Sequence, residues 1–350
     1  MNGKKQVSKT EKPILNVLQG RKPSRRPVWL MRQAGRYLPE YRVLRAKAED
    51  FLKMCLTPEL ATEITLQPIR RFGMDAAILF ADILLIPFAL GVDLEFREGE
   101  GPVLRKIEKI QDAAKLSYDD SKLFPVYETL QRVKPELPSE TALIGFCGAP
   151  WTVACYMIDG NSRGNFAAAK DWVQQRPEDL QTLIDILIDA SEAYLSRQID
   201  AGAEVLQIFD SWAGLLSGAD FHRFVIQPTH KLVARLKAKY PHVPIIGFPR
   251  EAGEGYAPYI RETGVDTVGI DPYVDLDYAK RELQVVKPLQ GNLNPDLLVK
   301  GGDEMFAALE SIMKKLGPTH VVNLGHGVVP QTPPEHVAQM VDFVHNFPVT

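Results

Sequence analysis

Three observations in the sequence predict an α/β fold, a single (β/α)8 TIM barrel. Short apolar runs of strand length alternate with longer runs of helical periodicity, the pattern of parallel strands joined by crossover helices. Eight such runs occur, at 75–80, 92–96, 142–147, 203–209, 243–248, 267–270, 288–292 and 320–324, and eight favour a closed barrel over an open sheet. The alternation also permits a doubly wound sheet, but no GxGxxG follows the first run to recommend a dinucleotide site.

Residues 1–12 are polar and lysine-bearing with no apolar core. They are expected to form a flexible tail rather than a signal peptide, ahead of a barrel domain spanning 13–350. Thr57 before Pro58 marks a helix start. The stretch 76–92, AAILFADILLIPFALGV, falls just short of a comfortable membrane span and is broken by Asp82 and Pro87; a buried strand followed by a loop is expected. The run at 92–96 is the weakest of the eight, and a long gap separates it from 142. Residues 180–199 form the longest amphipathic run and 305–316 a shorter one. Further helix starts are signalled by Ser217 three residues before Asp220, by Asn294 before Pro295, and by Thr332-Pro333-Pro334-Glu335 as a capping box.

At 350 residues, 45% hydrophobic and 24% charged, the chain has ample core for one large domain or two medium ones. A pI near 6.2 argues against general nucleic-acid binding. Cys55, Cys147 and Cys155 are odd in number and form no CxxC, so a disulfide framework is not expected and a reducing compartment fits.

In a barrel of this kind chemistry sits beyond the carboxyl ends of the strands. Asp82 stands there after the first run, Gly148 to Trp151 leading to Tyr156 after the third, and Asp210, Ser211 and Trp212 after the fourth. Pro249 and Arg250, Asp271 and Pro272, Asn292 to Asn294, and Gly325, His326 and Gly327 follow the others. Asp and Asn are also what helix caps require: Asn294 is read as a cap, while Asp210 and Asp271 fit either role. His326, between two glycines, caps nothing and is read as functional. A carboxylate inside an apolar run is costly to bury unless partnered, and the position of Asp82 at a strand end favours a ligand over the scaffold as that partner.

What is missing narrows the chemistry. No lysine stands at a strand end to form a Schiff base, and there is no HxC, HExxH, CxxC or P-loop. Ser211 lacks a surrounding GxSxG. What remains is a set of arginines, a carboxylate, a tyrosine, a hydroxyl and a histidine, suited to a polyanionic organic substrate handled without a cofactor. The arginines concentrate in one place: between Arg21 and Lys47 nine basic residues face a single acid, Glu40. Trp29, Leu30, Met31, Tyr37, Leu38 and Tyr41 interleave with them, so the segment can be anchored in a core while its charges point one way. Arg32 and Arg36 flank Gln33, Ala34 and Gly35; in a helix they would share a face, and Gly35 permits a turn instead. Guanidinium forks suit bidentate gripping of carboxylate or phosphate.

PVWLMRQAGRYLPEYR at 27–42 with Arg45 beyond it, FADILLIP, GFCGAPWTVACYM and NLGHGVVPQTPPEHV together resemble the uroporphyrinogen decarboxylase family, over about 13–345. The resemblance implies a single (β/α)8 barrel, a cytoplasmic homodimer and no metal or prosthetic group. It implies removal of the carboxyl groups from the four acetate side chains of uroporphyrinogen III, giving coproporphyrinogen III. Position by position, it places substrate binding at Arg32, Gln33, Ala34, Gly35, Arg36, Arg45, Asp82, Tyr156, Ser211 and His326, and catalysis at Asp82 with Arg32 and Arg36. Asp82 is expected to face the pyrrole N–H groups, and the turn-rich loop 160–165 is either a cover for the site or an idle surface loop. Trp212 is a mild departure, since some relatives carry histidine there. A zinc-thiolate methyltransferase of the same superfamily and a non-catalytic polyanion binder are the alternatives; the missing HxC weighs against the first.

Overall fold

The computed structural model describes residues 11–48, 50–97 and 99–349; residues 1–10 of the expected tail lie outside these. Lys12, at the tail's end, donates to Thr141 O and pairs with Glu204. Among the described residues nine strands form: β1 (Ala76–Ile78), β2 (Leu94–Arg97), β3 (Gly101–Leu104), β4 (Ala142–Gly148), β5 (Val205–Asp210), β6 (Ile245–Pro249), β7 (Thr267–Gly269), β8 (Leu289–Leu293) and β9 (His320–Leu324). Seven of them make a curled parallel sheet in the order β1-β4-β5-β6-β7-β8-β9, with helices in the connections.

One expected strand is not part of this sheet. Residues 94–97 pair antiparallel with 101–104 as a separate hairpin. The difference is one of burial: all seven positions of β4 are buried, as a strand covered on both faces requires, whereas β2 buries only Leu94 fully. Phe96 rests instead on Phe51, 4.7 Å between ring centroids.

Between β9 and β1 stands an extended stretch of the basic segment. Val28 bridges Val322 in parallel, Val322 N donates to Pro27 O at 2.9 Å, and Trp29 N donates to Val322 O at 3.3 Å. On its other side Asp75 N donates to Val28 O at 2.9 Å. Residues 27–31 thus form a strap bonded on both flanks.

Side chains alternate across the strands, giving two apolar layers. Trp29, Met31, Ala76, Ala142, Ile144, Val205, Ile246, Phe248 and Val321 cluster inside the curl with Ile14, Val17 and Leu18 of the N-terminal helix, Pro13–Leu18. The larger cluster lies between sheet and helices. Inside, Trp29 Nε1 donates to Gln290 Oε1 at 2.9 Å, Gln290 Nε2 donates to Gln207 Oε1 at 3.2 Å, and Gln207 Nε2 reaches the Met31 sulfur at 3.7 Å. The strap is therefore tied across the interior to β8 and β5, and burying Trp29 adds about 3 kcal/mol of hydrophobic stabilisation.

The long helices form where expected, Pro177–Asp200 and Gly302–Leu316, and the stretch after Asp82 contains a short helix, Leu85–Ala89, in place of a plain loop. Of the expected caps, Asn294 accepts from Asp296 N at 2.9 Å. Helices start directly after Thr57 and Ser217 as expected, at Pro58 and Gly218, although neither side chain makes a cap bond and Thr57 donates back to Lys53 O; the last helix starts at Pro334, leaving Thr332 one place too early to cap it. No helix among the described residues is long and apolar enough to cross a membrane.

The strap is anchored from below by Asp75, whose carboxylate is fully buried. It accepts from Val28 N at 2.8 Å, Arg25 Nε at 3.0 Å and His345 Nε2 at 2.9 Å. Asp75→Ala strands the Val28 N–H and frees the other two groups, and is expected to cost about 3 kcal/mol. Urea unfolding measures this; a loss below about 1 kcal/mol would show that the strap is held elsewhere.

Candidate active site

Beyond Met31 the strap turns at the carboxyl ends of the strands. Arg32 takes a left-handed φ of 61°, and two turns follow, Gln33 N to Leu30 O and Leu38 N to Gly35 O, in place of a helix. Gln33 is fully buried and its amide is committed to the scaffold: Oε1 accepts from Leu30 N at 3.1 Å and Nε2 donates to Ala76 O at 3.0 Å. Ala34 packs against the core, and the Gly35 backbone passes close to Arg32 O, where a Cβ would come within 3.2 Å. These contacts leave the side chains of Arg32 and Arg36 exposed, while Arg45 on helix Pro39–Lys47 is half-buried.

Arg32 lies across the loop after β9. A Cβ on Gly327 would meet Arg32 Cδ at 2.5 Å and Cγ at 2.8 Å, so any larger residue there would push this side chain aside. The neighbouring His326 is half-buried, its Nδ1 3.4 Å from Gly327 O. Burial lowers its pKa, and the cations of Arg250 and Arg32 lower it further, so His326 stands neutral near pH 7.

Asp82 lies past the end of β1 in an Asx turn, Oδ1 accepting from Leu84 N at 2.8 Å. Burial pushes its carboxyl up to about 6, against the opposing pull of that N–H and of Arg32. Tyr156, on helix Pro150–Asp159, packs edge-on to Phe166 (5.3 Å) and Trp212 (6.3 Å). Burial raises its phenol, with Asp82 adding to the rise and Arg32 opposing it. Asp82, Tyr156 and His326 therefore all lie within the field of Arg32. Arg36 and Arg45 form a second pair near Tyr41, both lowering its pKa against the larger effect of burial. Ser211, half-buried, follows directly after β5, with no hydrogen bond among the described residues tying it to the other groups.

Among the described residues, none of Arg32, Arg36 and Arg45 has a carboxylate within 4 Å, while Arg25, Arg70, Arg71, Arg132, Arg223 and Arg235 are all ion-paired. Unpaired guanidinium groups gathered at one rim await an anion from outside. No group of three or more His, Cys, Asp and Glu among the described residues is placed to hold a metal ion.

The uroporphyrinogen decarboxylase (URO-D) family model matches residues 9–347. The chain belongs to this family. Uroporphyrinogen decarboxylase of Rhodospirillum rubrum is 52% identical over 96% of this chain and 98% of its own length; that of Granulibacter bethesdensis is 52% identical over 95% and 98%. Among solved structures, a methyltransferase from Methanosarcina mazei superposes with a TM-score of 0.77 over 95% of this chain and 96% of its own. At 19% identity that likeness speaks for the fold alone.

Within this member of the uroporphyrinogen decarboxylase family, several groups at the rim escaped the sequence reading. Arg250, at the end of β6, was visible only as one of many strand-end residues, and its effect on His326 required the fold. Asp210 is fully buried and receives the Thr152 hydroxyl at 2.5 Å; that same oxygen accepts from Trp212 N at 3.0 Å. Burial pushes the Asp210 carboxyl up to about 7, and its second oxygen has no partner among the described residues. It supports the Ser211–Trp212 turn rather than capping a helix. Asp271 likewise accepts from Glu251 N, Tyr256 Oη and Tyr273 N.

Left-handed backbone at a non-glycine residue costs about 1 kcal/mol. Arg32→Gly is expected to leave thermal stability unchanged or up to about 1 kcal/mol higher while weakening anion binding at least tenfold. Calorimetry with an anion titration tests this; a marked loss of stability would mean that Arg32 serves packing.

Proposed function

We propose that this protein is a carboxy-lyase that converts uroporphyrinogen III to coproporphyrinogen III and CO2 by removing the carboxyl groups of its four acetate side chains. The observation that carries the reading is that Arg32, Arg36 and Arg45, with no carboxylate within 4 Å among the described residues, stand at the same rim of a family member as the desolvated carboxyl of Asp82. The strap at 27–31 is read as the eighth stave of a closed (β/α)8 barrel, with 13–350 as one domain. The two-sided bonding of Val28 and the separate interior cluster support this. As the family resemblance implies, the enzyme is read as a cytoplasmic homodimer acting on a small molecule, without nucleic-acid or membrane partners and without a metal or prosthetic group.

Breaking the bond from an acetate CH2 to its carboxylate leaves an electron pair that needs an acceptor. A pyrrole protonated at a ring carbon accepts it: CO2 departs, the pair enters the cationic ring, and an exocyclic methylene remains. Protonation of that methylene and loss of the ring proton leave a methyl group and restore the pyrrole. The substrate thus supplies its own electron sink. Asp82, ionised and facing the pyrrole N–H groups, stabilises the cationic ring. Arg32 and Arg36 orient the carboxylates, and one of them, or water it holds, relays the proton. Arg45, Tyr156, Ser211 and neutral His326 hold the acetate and propionate groups at the edge. Gln33, Ala34 and Gly35 serve by shaping the turn that aims the two arginines.

Because burial raises the Asp82 carboxyl to about 6, the folded protein retains a proton that the unfolded chain has lost. Its contribution to stability therefore falls as pH rises from the ordinary carboxyl range to about 6, while the ionised, active form gains over the same interval. Asp82→Asn should abolish most turnover, keep the substrate bound, and flatten the difference in unfolding midpoint between pH 5 and pH 8; turnover near wild type would refute the charge-stabilising role. Arg36→Ala should raise KM about tenfold with a smaller change in kcat, and an unchanged KM would argue against a carboxylate grip. The decisive assay incubates purified, metal-stripped protein with uroporphyrinogen and follows carboxyl loss by chromatography; binding without CO2 release would leave only a polyanion binder.

A further inference from the structure

We propose that Arg250 is an additional carboxylate-gripping residue of this site, held ready by Glu251 and facing the substrate from the side of the rim opposite Arg36 and Arg45. This rests on reading the site as one for a polycarboxylate. In the sheet order β6 lies four places from the strap at 27–31, counting through β1, β4 and β5. A macrocycle with carboxylates around its whole edge cannot be oriented by cations on one flank alone.

The Arg250 backbone is pinned on two sides. Its N–H donates to Asp210 O at 3.0 Å, and its carbonyl accepts from Gly214 N at 3.1 Å. Gly214 allows this close passage, since a Cβ there would come within 2.5 Å of Glu251 O. Next along, Glu251 takes a left-handed φ of 59° and its N–H donates to the Asp271 carboxylate at 2.9 Å. Asp271 is followed by Pro272, against which Gly325 packs so closely that a Cβ would meet Pro272 N at 2.4 Å. His326 comes next and Arg32 lies over Gly327, so a continuous run of contacts links the Arg250 segment to Arg32 through the loop that carries His326. Both cations lower the His326 pKa, and Glu251 partly offsets them.

The Arg250 side chain is three-quarters buried, and its one carboxylate partner among the described residues is the adjacent, half-exposed Glu251. An ion pair open to water on the acid's side contributes little net stability, so a substrate carboxylate can take its place at small cost. Glu251 keeps the cation oriented while the site is empty. The arrangement favours substrates that still carry a carboxylate on that side, and it makes Arg250 a determinant of preference among partially decarboxylated intermediates.

The test compares wild type, Arg250→Ala, Arg250→Lys and Glu251→Gln on uroporphyrinogen and on its partly decarboxylated successors, together with an NMR titration of His326 in the substrate-free enzyme. Expected are a KM raised about tenfold or more by Arg250→Ala with kcat changed less, partial recovery with lysine, and a KM lowered or unchanged by Glu251→Gln. In the titration, Arg250→Ala should move the His326 pKa upward. An unchanged KM in Arg250→Ala, or equal KM losses in the alanine and glutamine variants, would overturn the proposal. If the protein released no CO2 from any substrate, the functional reading would fall, and a His326 pKa unmoved in Arg250→Ala would separately overturn the placement of Arg250 at the rim.

Discussion

The structure depends on how residues 27–31 are held between β9 and β1. This strap pairs with Val322 on one side, receives the Asp75 N–H on the other, and drives Trp29 and Met31 into the interior. Asp75 below and Gln33 and Asn323 above fix its height, the last by accepting from Met31 N at 3.1 Å. Because Arg32 follows Met31 directly, any slip of the strap would move the cation that influences Asp82, Tyr156 and His326 together.

The same constraint divides the basic segment into two populations. Arg25 and Arg26, before the strap, are structural: Arg25 pairs with Asp75, and buried Arg26 donates to Gly317 O and Pro348 O while lying 5.2 Å over the Phe347 ring. Arg32, Arg36 and Arg45, after the strap, have no carboxylate within 4 Å among the described residues. A few residues of extended chain run beside β9 and β1 from the amino to the carboxyl ends of the strands, so cations close in sequence finish at opposite ends of the sheet. The basic run is thus neither a solvated patch nor one site.

The rim combines groups whose ordinary protonation has been displaced by burial. Asp82 and Asp210 are raised and His326 is lowered. Each shift marks a group held partly out of water by rigid neighbours, the condition in which electrostatic effects on a bound substrate are largest. Thr152, which links Asp210 to the Trp212 N–H, and the edge-on contact of Trp212 with Tyr156 show how the aromatic wall is positioned from within the fold.

Much of this was legible in the sequence. Apolar runs buried on both faces announce parallel strands, so seven of the expected strands fall at or within two residues of their places in the sheet, and Asp82, Tyr156, Ser211 and His326 follow from where those runs end. The hairpin at 94–104 was misread because a one-sided apolar run resembles a barrel strand until its second face is seen to be open. The strap escaped notice for the opposite reason: its few extended residues carry no periodicity, and its arginines advertised binding rather than pairing. Residue types, strand boundaries and the unusual density of guanidinium were thus determined by the sequence alone, because they depend on local pattern. Which arginines stay unpaired among the described residues, which carboxylates lose their water and that Arg250 acts on the charge of His326 were decided only by the tertiary structure, because burial and Coulomb coupling depend on distances between residues far apart in the chain.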